Sequence, residues 1–286
     1  GDSACCWPPF SLSEKIVDQI RAITKKLALA CGIRGLLNIQ YAVRDEHVFV
    51  IELNPRASRT VPFSSKATGV SLAKYASRIM AGEKISELRA QGLLPDENRT
   101  VDYYAVKEAV MPWSRFPGAD SILGPEMKST GEVMGIARTF PAAYAKTREA
   151  VENKLPEQGS VFISVCDRDK RAIAPVAMAL ENLGYGIYTT GGTAKTLRAA
   201  GIDCTTVNRI SDGHPNIVDL MRDKTVSFII NTPHGHEAHS DGTKMRAEAV
   251  SQGITCVTAM SAATALIQAL AAARKSEPET FALQDL

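Results

Sequence analysis

No stretch of this 286-residue chain approaches the roughly 18 to 20 uninterrupted apolar residues that a membrane-spanning helix needs, because Lys, Arg or Glu breaks every apolar run. A soluble chain is expected. No basic block is present either: 33 Lys and Arg stand against 31 Asp and Glu, a net charge of +2. The broad positive footprint of a nucleic-acid binder is therefore missing, while local anion sites stay open. Cys5, Cys6, Cys31, Cys166, Cys204 and Cys256 form no C-x-x-C pair and no disulfide-framework spacing. That excludes a disulfide scaffold and fits a reduced, cytoplasmic setting, with the cysteines acting as small buried hydrophobes. Gly1 to Cys6 has no basic segment leading into an apolar one, so no secretory signal is expected. The missing initiator Met points to a piece of a longer protein. Finally, no G-x-x-x-x-G-K-[ST] loop occurs, and G-G-T-A-K-T at Gly191 to Thr196 has the wrong spacing for one.

What is present is an ordinary globular composition, 45% hydrophobic and 22% charged, with room for two cores. Ser11 to Ala30 carries Ile16, Ile20, Ile23, Leu27 and Leu29 at helical spacing, with Ser11 or Ser13 as N-cap and Gly32 as the stop. Leu36 to Val43 and Val48 to Leu53 are β-prone runs joined by Arg44-Asp45-Glu46, which predicts an antiparallel hairpin. A loop rich in Ser, Thr and Pro is expected next. It leads to a helix at Leu72 to Met80 and strands at Asp102 to Val110 and Glu132 to Arg138.

The polar segment Asn153 to Gly159 separates two differently patterned regions, so domains of residues 1–152 and 153–286 are expected. Beyond it strands and helices alternate. Strands are predicted at Val161 to Val165, Gly186 to Thr189, Cys204 to Val207, Val226 to Ile230 and Thr255 to Val257. Helices are predicted at Arg171 to Leu183, Ala194 to Ala200, Ile217 to Met221, Gly242 to Ser251 and Ser261 to Ala273. That order builds a Rossmann-like parallel sheet with crossover helices, whose ligands gather at the strands' C-terminal ends. The fold class is therefore α/β, with an α+β first half.

Two constellations carry chemistry. On the hairpin, Gln40 comes from one strand and Glu52 and Asn54 from the next, the latter two on one face by alternation. One carboxylate and two amide oxygens suit Mg²⁺, which completes its shell with phosphate oxygens and water. Arg56 and Arg59 follow in N-P-R-A-S-R, with planar forks able to hold a phosphoryl group or a carboxylate. Phosphoryl transfer relies mainly on such positioning and charge neutralisation. Spacing alone leaves equally open a hairpin whose second face is merely wet.

The second constellation is T-G-G-T-A-K-T after the strand ending at Thr189. Paired glycines permit close backbone approach, a helix N-terminus faces the turn, and Thr190 and Thr193 add hydroxyls, which together suit a phosphate. Lys170 and Arg209 should lie at the same sheet edge. A glycine-rich turn with surface basic residues is the plainer alternative. His234, His236 and His239 crowd a polar loop in H-G-H-E-A-H, but their spacing matches no standard zinc motif, and surface histidines are expected.

Two long runs, L-L-N-I-Q-Y-A-V and V-I-E-L-N-P-R-A-S-R-T-V-P-F-S-S-K-A-T-G, resemble the metal-and-phosphate signature of carbamoyl phosphate synthase large subunits. M-P-W-S-R-F-P-G-A-D and L-G-P-E-M-K-S-T-G-E-V-M-G resemble the end of the family's second ATP-grasp unit. From D-R-D-K through T-T-G-G-T-A-K-T-L and V-N-R-I-S-D-G-H-P-N-I-V-D to I-I-N-T, the chain resembles a methylglyoxal synthase-like allosteric domain.

The resemblance implies a C-terminal part of an ATP-grasp domain, followed by that regulatory domain. It implies phosphorylation of carbamate by ATP to carbamoyl phosphate, for pyrimidine and arginine biosynthesis, in partnership with a small glutaminase subunit. Gln40, Glu52 and Asn54 would hold two Mg²⁺ or Mn²⁺ ions, and through them ATP, with K⁺ a further candidate ion. Arg56 and Arg59 would contact phosphate or carbamate. Lys170, Thr190, Thr193, Arg209 and Asn231 match nucleotide contacts, with UMP and IMP as effectors. Asp2 and Glu108 match acidic residues that take the amines of ornithine.

The family's adenine-holding strands precede Gly1, so this chain alone is expected to be inactive, with apolar surface bare near the hairpin. Pro233 stands where the family's enterobacterial pattern has Thr, which leaves the effector's identity open. No G-G-D-like loop supplies the catalytic Asp of methylglyoxal synthases, so lyase activity is not expected. A stand-alone nucleotide-binding regulator and a different ATP-grasp ligase are the competing readings.

Overall fold

The computed structural model describes residues 2–95, 100–115, 121–124, 126–151, 156–232, 241–275, 280 and 282–285. The histidine cluster, Pro233 and the first three residues of the segment at the expected domain boundary, 153–155, lie outside them.

The first half contains β1 (Cys5–Trp7), α1 (Glu14–Ala30), β2 (Asn38–Arg44), β3 (His47–Asn54), α2 (Thr60–Thr68), α3 (Leu72–Met80), α4 (Ile85–Ala90), β4 (Tyr104–Val110), β5 (Gly131–Ala137) and α5 (Phe140–Ala150). β2 and β3 pair antiparallel as a two-stranded sheet, and β1, β4 and β5 form a three-stranded antiparallel one. The predicted loop after the hairpin is a helix instead. α2 accommodates Pro62 in its first turn, where an N–H has no helical partner anyway, and stops at Gly69, whose φ of 71° is the left-handed cap. α5 begins with the same grammar: Thr139 accepts from the Ala142 backbone N–H, with Pro141 in the first turn.

The second half contains β6 (Ser160–Ser164), α6 (Lys170–Asn182), β7 (Gly186–Thr190), α7 (Gly191–Ala199), β8 (Thr205–Val207), α8 (Ile217–Arg222), β9 (Phe228–Asn231), α9 (Asp241–Ser251), β10 (Thr255–Val257) and α10 (Met260–Ala273). Its five strands are all parallel, in the order β10-β9-β6-β7-β8. The strand order reverses beside β6, and such a switch point opens a crevice at the strands' C-terminal ends. β6 and β9 are sandwiched between helices, which is why V-F-I and F-I-I-N read as continuous buried runs.

The mixed architecture matches the expected α/β class. One hydrophobic core holds Val106 and Ala137 of the antiparallel sheet and Ala143 and Tyr144 of α5. Ile163, Leu180, Phe228 and Leu266 of the parallel-sheet region belong to the same core. The hairpin is different. Phe49, Val50 and Ile51 are exposed, and of α1 only Ile16 is buried, leaving Leu29 bare. No helix among the described residues is long and apolar enough to cross a membrane.

Candidate functional site

A cavity of about 510 Å³ opens at the C-terminal ends of β6, β7 and β9, within the size range of small-molecule sites. Lys170, Thr190, Thr193, Arg209 and Asn231 all line it. They come from four strand ends, with Thr190 and Thr193 both following β7, so the parallel topology brings together side chains up to 61 residues apart in sequence, from Lys170 to Asn231.

The glycine pair does not sit in a loop, as expected, but forms the first turn of α7, with Thr190 as N-cap. A Cβ on Gly191 would meet nothing within 4 Å, and one on Gly192 would meet only the Lys170 Nζ, at 3.6 Å. The helix therefore presents bare N–H groups to the cavity beneath an ammonium, a suitable seat for an anion. That ammonium pairs with Asp167 Oδ1 at 2.5 Å, and Asp167 is exposed. An arriving anion competes for Lys170 with a solvent-facing carboxylate, which costs little to release.

Thr193 is buried, and its Oγ1 accepts from the Val165 backbone N–H at 3.4 Å, leaving its own proton to give. Asn231 donates from Nδ2 to the Ser164 carbonyl at 2.9 Å and accepts at Oδ1 from Arg246 Nη1 at 2.7 Å. Arg209 is carried on a pinned turn. Asn208 donates from its backbone N to the Pro215 carbonyl at 3.0 Å and from Nδ2 to the His214 carbonyl at 2.9 Å. Asn216 and Asp219 form a capping box at the start of α8.

Sequence reasoning missed several lining residues. Thr232 accepts from the Cys166 backbone N–H at 3.1 Å, Arg246 is buried, and Asn208, Asp241 and Gly242 complete the rim. Thr232 and Asn208 were legible, as the residues next to Asn231 and Arg209. Phe162, Ile210, Ile217 and Met245 add an apolar wall beside the polar one.

Beneath the cavity, Cys166 Sγ donates to Asp169 Oδ2 at 3.1 Å, and this bond chiefly holds the Asp169 carboxyl below its usual 3.8. Asp219 is lowered too, first by His214 Nδ1 at 2.7 Å and then by the Asn216 N–H. A lowered carboxylate contributes stability above its unfolded value and loses it as pH falls through its folded one. The urea midpoint is therefore expected to hold between about pH 7 and 5 and to drop below about pH 4. Asp169→Asn should flatten that drop.

On the hairpin, Gln40 lies directly opposite Glu52 and Asn38 opposite Asn54. Asn54 Nδ2 donates to Glu52 Oε1 at 2.8 Å. Gln40 and Glu52 are exposed and Asn54 is half-buried. A hard cation takes only oxygen, so loading it requires the Asn54 amide to turn over. Among the described residues no group of three His, Cys, Asp or Glu could hold a metal. One carboxylate with amide neighbours is a donor set that Mg²⁺ accepts, its shell completed by phosphate and water. Arg56 and Arg59 are exposed on the turn leaving β3, and Arg56 Nη1 donates to the Ala57 carbonyl at 3.0 Å.

Asp2 and Glu108 are both engaged. Asp2 accepts from the backbone N–H groups of Lys128 at 2.5 Å and Ser129 at 3.0 Å. Burial raises its carboxyl, but those two donors outweigh it and leave the group lowered. Glu108 is ion-paired with Arg148.

The fold and cavity define a class: a mixed α/β chain whose all-parallel sheet opens a polar, anion-suited cavity at its strands' C-terminal ends. Residues 1–88 match the family model of the carbamoyl-phosphate synthase L chain, ATP binding domain, and residues 172–258 match that of the MGS-like domain. The chain belongs to the carbamoyl phosphate synthase large-chain family. It is 46% identical over 99% of its length to the carbamoyl phosphate synthase large chain of Acidobacterium capsulatum, covering 26% of that protein. It is 43% identical over 98% of its length to the carbamoyl phosphate synthase large chain, C-terminal section, of Aquifex aeolicus, covering 54% of it. The chain thus spans about a quarter of the length of most of the curated relatives it matches. A methylglyoxal synthase of Elizabethkingia anophelis aligns with 40% of the chain and 79% of its own length, at 20% identity and a TM-score of 0.34.

Proposed function

We propose that this chain supplies two parts of a glutamine-hydrolysing carbamoyl phosphate synthase: the metal-and-phosphate end of the carbamate-phosphorylating ATP-grasp site in residues 1–152, and a nucleotide-sensing regulatory domain in residues 153–286. The observation that carries the regulatory assignment is the cavity on which Lys170, Thr190, Thr193, Arg209 and Asn231 converge. A cation over a helix N-terminus suits a phosphate monoester, and the apolar wall of Phe162, Ile217 and Met245 suits a flat base.

In the catalytic half, Gln40, Glu52 and Asn54 would hold Mg²⁺ or Mn²⁺, which would neutralise phosphate charge when bound. Arg56 and Arg59, exposed on the turn leaving β3, would clamp the transferring group. The small glutaminase subunit is the proposed partner. Six free cysteines support a cytoplasmic setting.

Calorimetric titration with UMP and IMP tests the regulatory assignment. Saturable binding of at least one nucleotide is expected, and silence with both would overturn it.

A further inference from the structure

We propose that Arg148 is a built-in cation that closes the acidic position around Glu108 to external amines and ties the antiparallel sheet to the edge of the parallel one. Glu108 stands on β4 and Arg148 on α5, with side chains only 15% and 9% exposed. Arg148 Nη1 donates to Glu108 Oε1, and the Thr147 hydroxyl donates to Oε2 at 3.2 Å. From its other side, Arg148 Nη2 reaches Thr255 Oγ1 on β10 at 3.4 Å. One guanidinium therefore joins two sheets.

The Arg148 Nε is buried without a hydrogen-bond partner. A donor left bare in this way is costly, so attraction to Glu108, rather than a full set of bonds, keeps the group where it is. The pair's field reaches Tyr144, whose hydroxyl is pushed up to about 12, first by burial and then by the Glu108 charge, with Arg148 opposing. Asp2 has both oxygens on backbone N–H groups. Where the family resemblance leads to an expectation of two carboxylates open to the amines of ornithine, one already holds an internal guanidinium and the other is filled by main chain. An external ammonium would have to break the buried Arg148 pair with Glu108 or add a second buried positive charge beside it, and both are costly.

The test compares wild type, Arg148→Ala, Arg148→Gln and Glu108→Gln by calorimetry and thermal melting with ornithine or methylguanidinium. In wild type, either no ornithine binding or binding that Glu108→Gln leaves unchanged is expected. Arg148→Ala bares a buried carboxylate, so its melting midpoint should fall and then rise again with either cation, by mass action on the folded state. Arg148→Gln fills most of the volume without the charge and should show the same rescue if the alanine variant does not fold. The proposal is overturned if wild type binds ornithine and Glu108→Gln abolishes it. It also fails if the folded Arg148 variants respond to neither cation. Neither readout involves the nucleotide cavity, so this inference and the regulatory assignment fail separately.

Discussion

Replacing Lys170 and Thr193 together by Ala is expected to weaken nucleotide binding by at least about 100-fold, read by calorimetry. A hydrogen bond to a charged group is worth roughly 1.5–3 kcal/mol, and each 1.4 kcal/mol is about tenfold in affinity. Two such contacts to one phosphate therefore set a ceiling of about 10⁴-fold. They share a ligand and are not independent, so the lower end is the expected one. Among the described residues Lys170 pairs with the exposed Asp167, so its loss costs the fold little. Thr193→Ala, by contrast, takes the acceptor from the buried Val165 N–H, so a thermal melt accompanies the titration to show that the variant is folded. Thr193→Ser keeps the hydroxyl that faces the Val165 N–H and should retain most of the affinity. If the double variant binds as wild type does, the phosphate does not sit over α7.

Phe228→Ala is expected to cost about 3–5 kcal/mol, the usual range for a fully buried aromatic. Phe228 is fully buried at the start of β9, paired with Val161 on one side and Thr255 on the other. Its ring meets Tyr185 edge to face at 5.7 Å. Against a typical total of about 5–15 kcal/mol, that is a large fraction. The variant also reports on how the halves are joined. Both tryptophans, Trp7 and Trp113, lie in the first half, yet Phe228 shares its core with Val106, Ala137 and Tyr144. Trp fluorescence and far-UV circular dichroism are therefore expected to shift together to lower urea in this variant. A fluorescence midpoint left at the wild-type value would show that the antiparallel sheet unfolds independently.

Much of the cavity's lining could be read from the chain because parallel sheets collect ligands at strand ends. Lys170, Thr190, Arg209 and Asn231 each follow one of the first four strands, and α7's opening turn carries Thr193. Arg246 could not be found this way. It sits midway along α9, 15 residues beyond Asn231, and only the docking of that helix turns it onto the Asn231 amide. The helix α2 was hidden for a different reason: Ser, Thr and Pro favour loops on average, and Pro62 is tolerated only because it falls in a first turn.

On the hairpin, alternation alone is enough to put Glu52 and Asn54 on one face, and the register then sets Gln40 opposite Glu52. The types of chemistry available, a carboxylate among amides and an ammonium over glycines, are local properties, fixed by period and by turn residues within a few positions. The partners of the charges are not local. Glu108 meets Arg148 across 40 residues, and Arg148 meets Thr255 across 107. Those pairings follow from which strands and helices share a core, because packing, not sequence distance, decides which charges are desolvated together and must neutralise one another.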